Sequence, residues 1–438
     1  MMIRRFLLPV LILIGIPAAA QKLLTVDEAI ATALQNNYDI RLSRNDSLVA
    51  ALDYSYRNAA FFPQVNGNAG IVFNNNSQRQ KFNDGTTREA SNVKSNNITA
   101  SISLNWTLFD GLRMFATRDK LVEFVKLGEL TVKNQISNTV ATVINTYYGI
   151  VRQKQQLKAI EEQLSISEER VKLAQYKLDI GVGAKPDVLQ SKVDLNAQRA
   201  AQLEQQTLIS QSKDQLNKLM NVAPDAAYDV SDSIPIIQNL SLDQIRNGIE
   251  RTNPDILIAK KNIDIANITL REQRADRWPT VSFTGNYNFN RLSNQSVVNP
   301  FSSLFSRNHG FNYGLTASIP IFNNYNTKRL IQQASLDIRY RQLVFENQRS
   351  IVDLNVMLAF RNYEWQKAAL VLEEESIGLA RENVDIVLQV YRLNSTTLIQ
   401  LKEAQSSLQD ARTRLITARY NTKLAETELL RLKGELIR

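Results

Sequence analysis

The stretch NITASISLNWTLFDG (residues 97–111) alternates almost without a fault. Ile98, Ala100, Ile102, Leu104, Trp106 and Leu108 are apolar, while Thr99, Ser101, Ser103, Asn105 and Thr107 are small and polar. Side chains of a strand point alternately to its two faces, so the pattern predicts a strand with one apolar face and one wet face. Three other segments repeat it. Val65, Gly67, Ala69, Ile71 and Phe73 alternate with Asn66 and Asn68. Val281, Phe283, Gly285, Tyr287 and Phe289 alternate with Ser282, Thr284, Asn286, Asn288 and Asn290. Phe311, Tyr313, Leu315, Ala317, Ile319 and Ile321 alternate with Asn312, Gly314, Thr316, Ser318 and Pro320. The four strands form two hairpins. The segments within them, residues 74–96 and 291–309, are rich in Asn and Ser and read as long solvated loops, the second holding the single histidine, His309.

The hairpins belong to a duplicated chain. TVDEAIATALQNNYDI (residues 25–40) matches SLDQIRNGIERTNPDI (residues 241–256), and FFPQV (residues 61–65) matches RWPTV (residues 277–281), both at an offset of 216. TLFDG (residues 107–111) matches PIFNN (residues 320–324) at an offset of 213. Thr25 with Glu28, and Ser241 with Gln244, fit the capping box that starts a helix. Each half reads as short helix, helix, proline, strand, polar loop, strand and long helical stretch. The halves meet in NVAPDAAYDVSDSIPIIQN (residues 221–239), where prolines and short polar residues interrupt the helical pattern. This gives a first repeat over 21–228 and a second over 229–438.

Ile136, Val143, Ile150, Leu157, Leu164, Val171 and Leu178 recur every seven residues, as do Val356, Tyr363, Leu370, Ile377, Val384 and Tyr391. That period predicts long helices supercoiled on their neighbours. Residues 112–178, as one helix, would extend roughly 100 Å. GVGAKPD (residues 181–187) breaks the first helix and RLNSTT (residues 392–397) the second, and a return helix follows each break. The expected shape is a pair of antiparallel helical hairpins with tips at the two breaks.

The N-terminus, MMIRRFLLPVLILIGIPAAAQ, has a basic start at Arg4 and Arg5, an apolar run over 6–16 and small residues before Gln21. It reads as a secretory signal peptide over 1–20. No later run approaches the ~20 apolar residues a spanning helix needs. The chain has no cysteine, which excludes thiolate metal sites, disulfides and a lipid anchor on a cysteine. The net charge of +9 is spread over helix faces among acids, so it does not indicate nucleic acid. There is no glycine-rich phosphate loop, and a lone histidine is no catalytic constellation. An enzyme is not expected, nor a cofactor.

An apolar strand face needs cover. In an outer membrane the cover is lipid and the Ser/Thr/Asn face lines water. Phe61, Phe62, Trp106, Phe109, Trp278 and Phe322 all lie beside the strand–helix junctions, where an interfacial aromatic belt would sit. Four strands cannot close a barrel, and lipid does not tolerate open edges, so an oligomer is expected. Two copies would supply eight strands and three would supply twelve; the pattern does not choose between them.

The duplicated plan, the NYDI/NPDI and FP/WP signals, LFDG after the second strand and GVGAKPDVLQS at the first tip together resemble the TolC-like outer-membrane efflux proteins. The resemblance spans the chain after the signal peptide. It implies a mainly α fold with a β-barrel portion: a homotrimer with a twelve-stranded outer-membrane barrel, continuous with a periplasmic helical tunnel. A periplasmic adaptor and an inner-membrane pump would dock below. It further implies a periplasmic gate at Asp187, Tyr391, Thr396, Gln400 and Glu403, with Tyr391 linked to Asp187. Thr396 stands where the family carries an arginine, and Gln400 and Glu403 where it carries two carboxylates. Adaptor docking would fall on the tip residues Gly181, Gly183, Lys185, Pro186, Asn394 and Ser395. The rival readings are a periplasmic adaptor and a secreted coiled-coil protein. Neither needs four strands with an unpartnered apolar face.

Overall fold

The structure is a computed structural model that describes residues 22–237, 240–299, 301–393 and 395–436. The expected signal peptide and Asn394 lie outside the described residues. The chain packs into two compact units. Among the described residues, one comprises those up to Arg41, those within Gln135–Ile249 and those from Leu354 onward, and the other those within Leu42–Asn134 and Glu250–Asp353.

In chain order the elements are β1 (Lys22–Leu24), α1 (Val26–Asn36), α2 (Tyr38–Ser55), β2 (Gln64–Lys81), β3 (Thr87–Asp110), α3 (Arg113–Asp179) and α4 (Lys185–Met220). Then follow β4 (Tyr228–Val230), α5 (Leu242–Arg246), α6 (Ile249–Thr252), α7 (Pro254–Ala275), β5 (Thr280–Asn294), β6 (Phe305–Ser318), α8 (Asn326–Arg392) and α9 (Leu398–Lys433). Both long helices have 67 residues and both return helices 36.

The second unit holds a four-stranded antiparallel sheet in the order β2-β3-β5-β6. Its register joins the four apolar faces into one: Gly67 lies opposite Ile102, Ile102 opposite Tyr287, and Gly285 opposite Tyr313. The fault in the opening pattern, two apolar residues in succession at Leu108 and Phe109, is a β-bulge. Thr107 pairs with Ser282 and Phe109 with Val281, which leaves Leu108 without a partner. The extra residue shifts the parity so that Phe109 joins the apolar face.

Much of each expected hairpin loop is strand. β2 runs on to Lys81 and β3 begins at Thr87; β5 runs to Asn294 and β6 begins at Phe305. Backbone pairing continues where the strict apolar alternation stops, so the alternation does not register it. His309 is therefore a strand residue, opposite Phe289. β6 ends at Ser318, before Ile319 and Ile321, because Pro320 has no N–H for the ladder.

The first unit has a core of Leu24, Ala29, Ala33, Val143, Tyr147, Ile150, Leu216 and Val230. Two short strands that no periodicity marks build it: β1 pairs in parallel with β4, Leu24 against Val230. The inter-repeat segment is thus partly ordered into a sheet. The Tyr147 hydroxyl clamps it, donating to Leu24 O at 2.8 Å and accepting from Ser231 N at 3.1 Å. Three-residue strands carry too little periodicity to announce themselves. The heptad positions face inward, with Val143 and Ile150 fully buried and Val356, Tyr363, Val384 and Tyr391 at 7% exposure or less. The second-repeat counterpart of α1 is broken between α5 and α6 at Asn247 and Gly248, a turn-forming pair that the first repeat replaces with Ala31 and Thr32.

Candidate channel wall and hairpin tips

The candidate wall is the sheet. On its polar face Asn66 lies opposite Ser103, Ser103 opposite Asn286, and Asn286 opposite Asn312, a neutral surface of amides and hydroxyls. On its apolar face Phe311, Tyr313 and Leu315 are 70–74% exposed. Monomeric soluble proteins rarely expose a contiguous apolar surface of this kind. The outer edges of β2 and β6 are open within the chain.

LFDG forms the corner from strand to helix. The Asp110 carboxylate accepts from Met114 N–H at 3.0 and 3.2 Å and caps α3. Gly111 has φ +72°, and a Cβ there would lie 2.3 Å from Ala275 O and 2.9 Å from Trp278 Cβ. Only glycine fits. Leu112 also has positive φ, and the equivalent Asn324 and Tyr325 of the second repeat share that conformation, at 53° and 59°. The corner aromatics cluster here. Trp106 donates from Nε1 to Phe61 O at 2.8 Å, and Phe61 meets Phe115 edge to face at 5.0 Å. Phe322 meets Tyr325 at 5.5 Å, and Phe62, Trp278 and Phe322 are exposed. Phe109 is half-buried on the apolar face.

The tips belong to the first unit. α3 ends in a turn where Val182 N and Gly183 N both donate to Lys177 O, at 3.0 and 2.8 Å. A Cβ on Gly183 would fall 2.8 Å from the backbone of Lys177 and Leu178, and Gly181 has φ +80°. Lys185 and Pro186 open α4, and Asp187 sits in its first turn. At the other tip Ser395 N donates to Val390 O at 3.0 Å, and Thr397 with Gln400 forms a capping box that starts α9. The Thr396 hydroxyl also donates to Gln400 Oε1. Glu403 is exposed and has no ion-pair partner among the described residues.

Tyr391 is buried, with its ring 3.9 Å from Lys177 Nζ. Burial, reinforced by the negative charge of Asp187, raises its hydroxyl above the usual phenol range. Among the described residues no hydrogen bond joins Tyr391 to Asp187. A second cluster has no signature in the sequence, because its members lie on three helices. Asp194 of α4 binds Arg170 of α3 at 3.1 Å and Lys402 of α9 at 3.0 Å, and Arg170 also reaches Gln405. Burial would raise the Asp194 carboxyl. The hydrogen bonds from Lys402 and Gln190, with the charges of Arg170 and Lys402, outweigh it and hold the group below the ordinary carboxylate value.

Among the described residues no helix is long and apolar enough to cross a membrane, and no cluster of acidic, His or Cys side chains could hold a metal ion. Exposed apolar strands of this alternation, joined to paired long helices, define an outer-membrane channel subunit. Residues 29–222 and 247–435 match the family described as outer membrane efflux protein, and the chain belongs to that family. It is 21% identical to the outer membrane efflux protein BepC of Brucella suis biovar 1, covering 94% of this chain and 86% of that protein. It is 24% identical to the probable efflux pump outer membrane protein TtgC of Pseudomonas putida KT2440, covering 93% and 82%. Its fold matches the Campylobacter jejuni CmeC outer membrane channel with a TM-score of 0.76, 15% identity, and coverage of 94% and 86%. Family members are homotrimeric channels, not enzymes, and work with periplasmic adaptors and inner-membrane pumps in tripartite efflux systems. The chain is an efflux channel subunit of the outer membrane that extends into the periplasm.

Proposed function

We propose that three copies join edge to edge, β6 of one against β2 of the next, and that the twelve strands close a barrel serving as a passive exit duct. The observation that carries this reading is the four-stranded sheet, which has two open edges and an exposed apolar face in a single chain. Closure removes the edges and lipid covers the face. Each repeat, 21–228 and 229–438, supplies one β-hairpin and one helical hairpin. The corner aromatics Phe61, Phe62, Trp106, Phe109, Trp278 and Phe322 mark the periplasmic membrane border. The adaptor docks on the tips around Gly181, Gly183, Lys185, Pro186 and Ser395. Asp187, Tyr391, Thr396, Gln400 and Glu403 form the periplasmic constriction. The neutral wet lining imposes little selectivity, so substrate choice lies with the pump, which also supplies the energy.

The test is purification from detergent-solubilised outer membrane and reconstitution in a planar bilayer. A heat-labile oligomer that conducts ions is expected; a soluble monomer overturns the reading. For the constriction, Tyr391→Phe combined with Asp187→Ala should raise open-channel conductance. Unchanged conductance would mean that the two residues only pack.

A further inference from the structure

We propose that Arg291 and Arg307 form a seat for a phosphorylated lipid headgroup of the outer leaflet. The proposal rests on the outward, lipid-facing orientation of the apolar sheet face argued above. On β5 that face is Val281, Phe283, Gly285, Tyr287 and Phe289, and the next residue in the same parity is Arg291. On β6 it is Leu315, Tyr313 and Phe311, followed by His309 and Arg307. The register sets Arg291 directly opposite Arg307, and both are exposed.

Like charges directly opposite on neighbouring strands destabilise a sheet. Among the described residues neither guanidinium has a carboxylate partner, whereas Arg79 on the other hairpin is paired with Glu89 at 2.7 Å. Each guanidinium lies instead over a ring. Arg291 Cζ is 5.6 Å from the Phe305 centroid and Arg307 Cζ is 5.4 Å from that of Phe289. A cation–π contact of this kind draws each guanidinium toward a ring face and uses none of its N–H donors. A phosphate matches a guanidinium fork with two parallel hydrogen bonds, so a headgroup that brings a phosphate to each fork turns a repulsive pair into an attractive site.

Two features select a lipid. The first is depth: the strands enter from the helix corner near Val281, and Arg291 lies ten residues further, about the length of a transmembrane strand. The arginines therefore stand at the far headgroup level, within an aromatic girdle of Phe289, Phe305 and Phe311. The second is the neighbourhood. In the arginine row the sheet continues into Ile98 and Ile71, and the adjoining row is Phe289, Ala100 and Ala69 with His309. A phosphate on the arginines thus has apolar surface beside it for acyl chains.

The test uses the full-length oligomer in detergent, with native mass spectrometry to count retained lipid and thermal stability as a second readout. The probes are diphosphoryl lipid A, the same lipid dephosphorylated, and inorganic phosphate. Wild-type protein should retain diphosphoryl lipid A about tenfold better than the dephosphorylated form. The R291Q/R307Q pair should lose that preference, R291K/R307K should keep part of it, and inorganic phosphate should not raise the melting temperature. Equal retention of the two lipids, or an unchanged preference in R291Q/R307Q, overturns the proposal. Stabilisation by inorganic phosphate equal to that by lipid A would make the seat a free-anion site and overturns it too. If R291Q/R307Q fails to assemble, the comparison of the two lipids on wild type decides alone. Conductance measured in parallel separates this outcome from the channel reading: a conducting oligomer without lipid preference fails only the seat.

Discussion

Asn37 and Asn253, 216 positions apart, do the same work at the start of a helix. The Asn37 side-chain oxygen accepts from Asp39 N at 2.9 Å and Ile40 N at 3.3 Å; that of Asn253 accepts from Asp255 N at 3.0 Å and Ile256 N at 3.2 Å. The shared N-x-D-I pattern is a cap, a first-turn acid that suits the helix dipole, and an isoleucine buried to 2% exposure or less. Asn37 also donates to Leu219 O at 2.9 Å. Replacing either asparagine with alanine should cost about 1–2 kcal/mol, read as a lower melting temperature of the oligomer. Asn37→Asp keeps the cap but sets a carboxylate oxygen, which cannot donate, against the Leu219 carbonyl, so it should also lower the melting temperature.

Gly111→Ala should all but abolish assembly. The added Cβ meets a backbone carbonyl at 2.3 Å in a left-handed conformation, and no side-chain movement relieves it. A cost above about 3 kcal/mol is expected. Gly67→Ala, where nothing lies within 4 Å, should be tolerated. The yield of oligomer in outer-membrane extracts compares the two.

If Gln400 and Glu403 line the constriction, Gln400→Glu adds a second ring of charge. A glutamate in the third helical position preserves the capping box with Thr397, so the fold should not change. The potassium-to-chloride permeability ratio should rise by roughly twofold or more, and Glu403→Gln should lower it. Reversal potentials in a salt gradient measure both, and no shift in either places these residues outside the ion path.

Acid should loosen the helical hairpins through Asp194. Its folded pKa lies below the unfolded carboxylate value of 3.8. The stability it contributes is therefore complete above about pH 5 and is lost as pH falls through the folded value. Asp194→Asn should lower stability at pH 7 by about 3 kcal/mol, because it leaves Arg170 buried at 6% exposure without its carboxylate. The difference between variant and wild type should shrink from pH 5 towards pH 2 in circular-dichroism melts. A constant difference would show that the ion pair is not its source.

Local chemistry made much of this legible in the chain itself. The period of two revealed the strands, the period of seven the long helices, and GVGAKPD and RLNSTT the tips. Pairing without periodicity leaves no such mark in the chain. The polar arms of both hairpins pair through backbone groups that every residue carries, and β1 finds β4 across some two hundred residues with three pairs. The Leu108 bulge stood in the sequence only as a flaw in an alternation. Its meaning came from the register against β5.

The sequence by itself determined which faces are apolar, where helices start and stop, and that the strands need neighbours from other copies, because these follow from side-chain polarity and local backbone preference. Only the tertiary structure decided that Arg170, Asp194 and Lys402 meet, that Tyr391 packs under Lys177, and that Arg291 confronts Arg307. Those contacts depend on register and on helix-to-helix placement, which many packed interactions fix together and no single stretch of residues encodes.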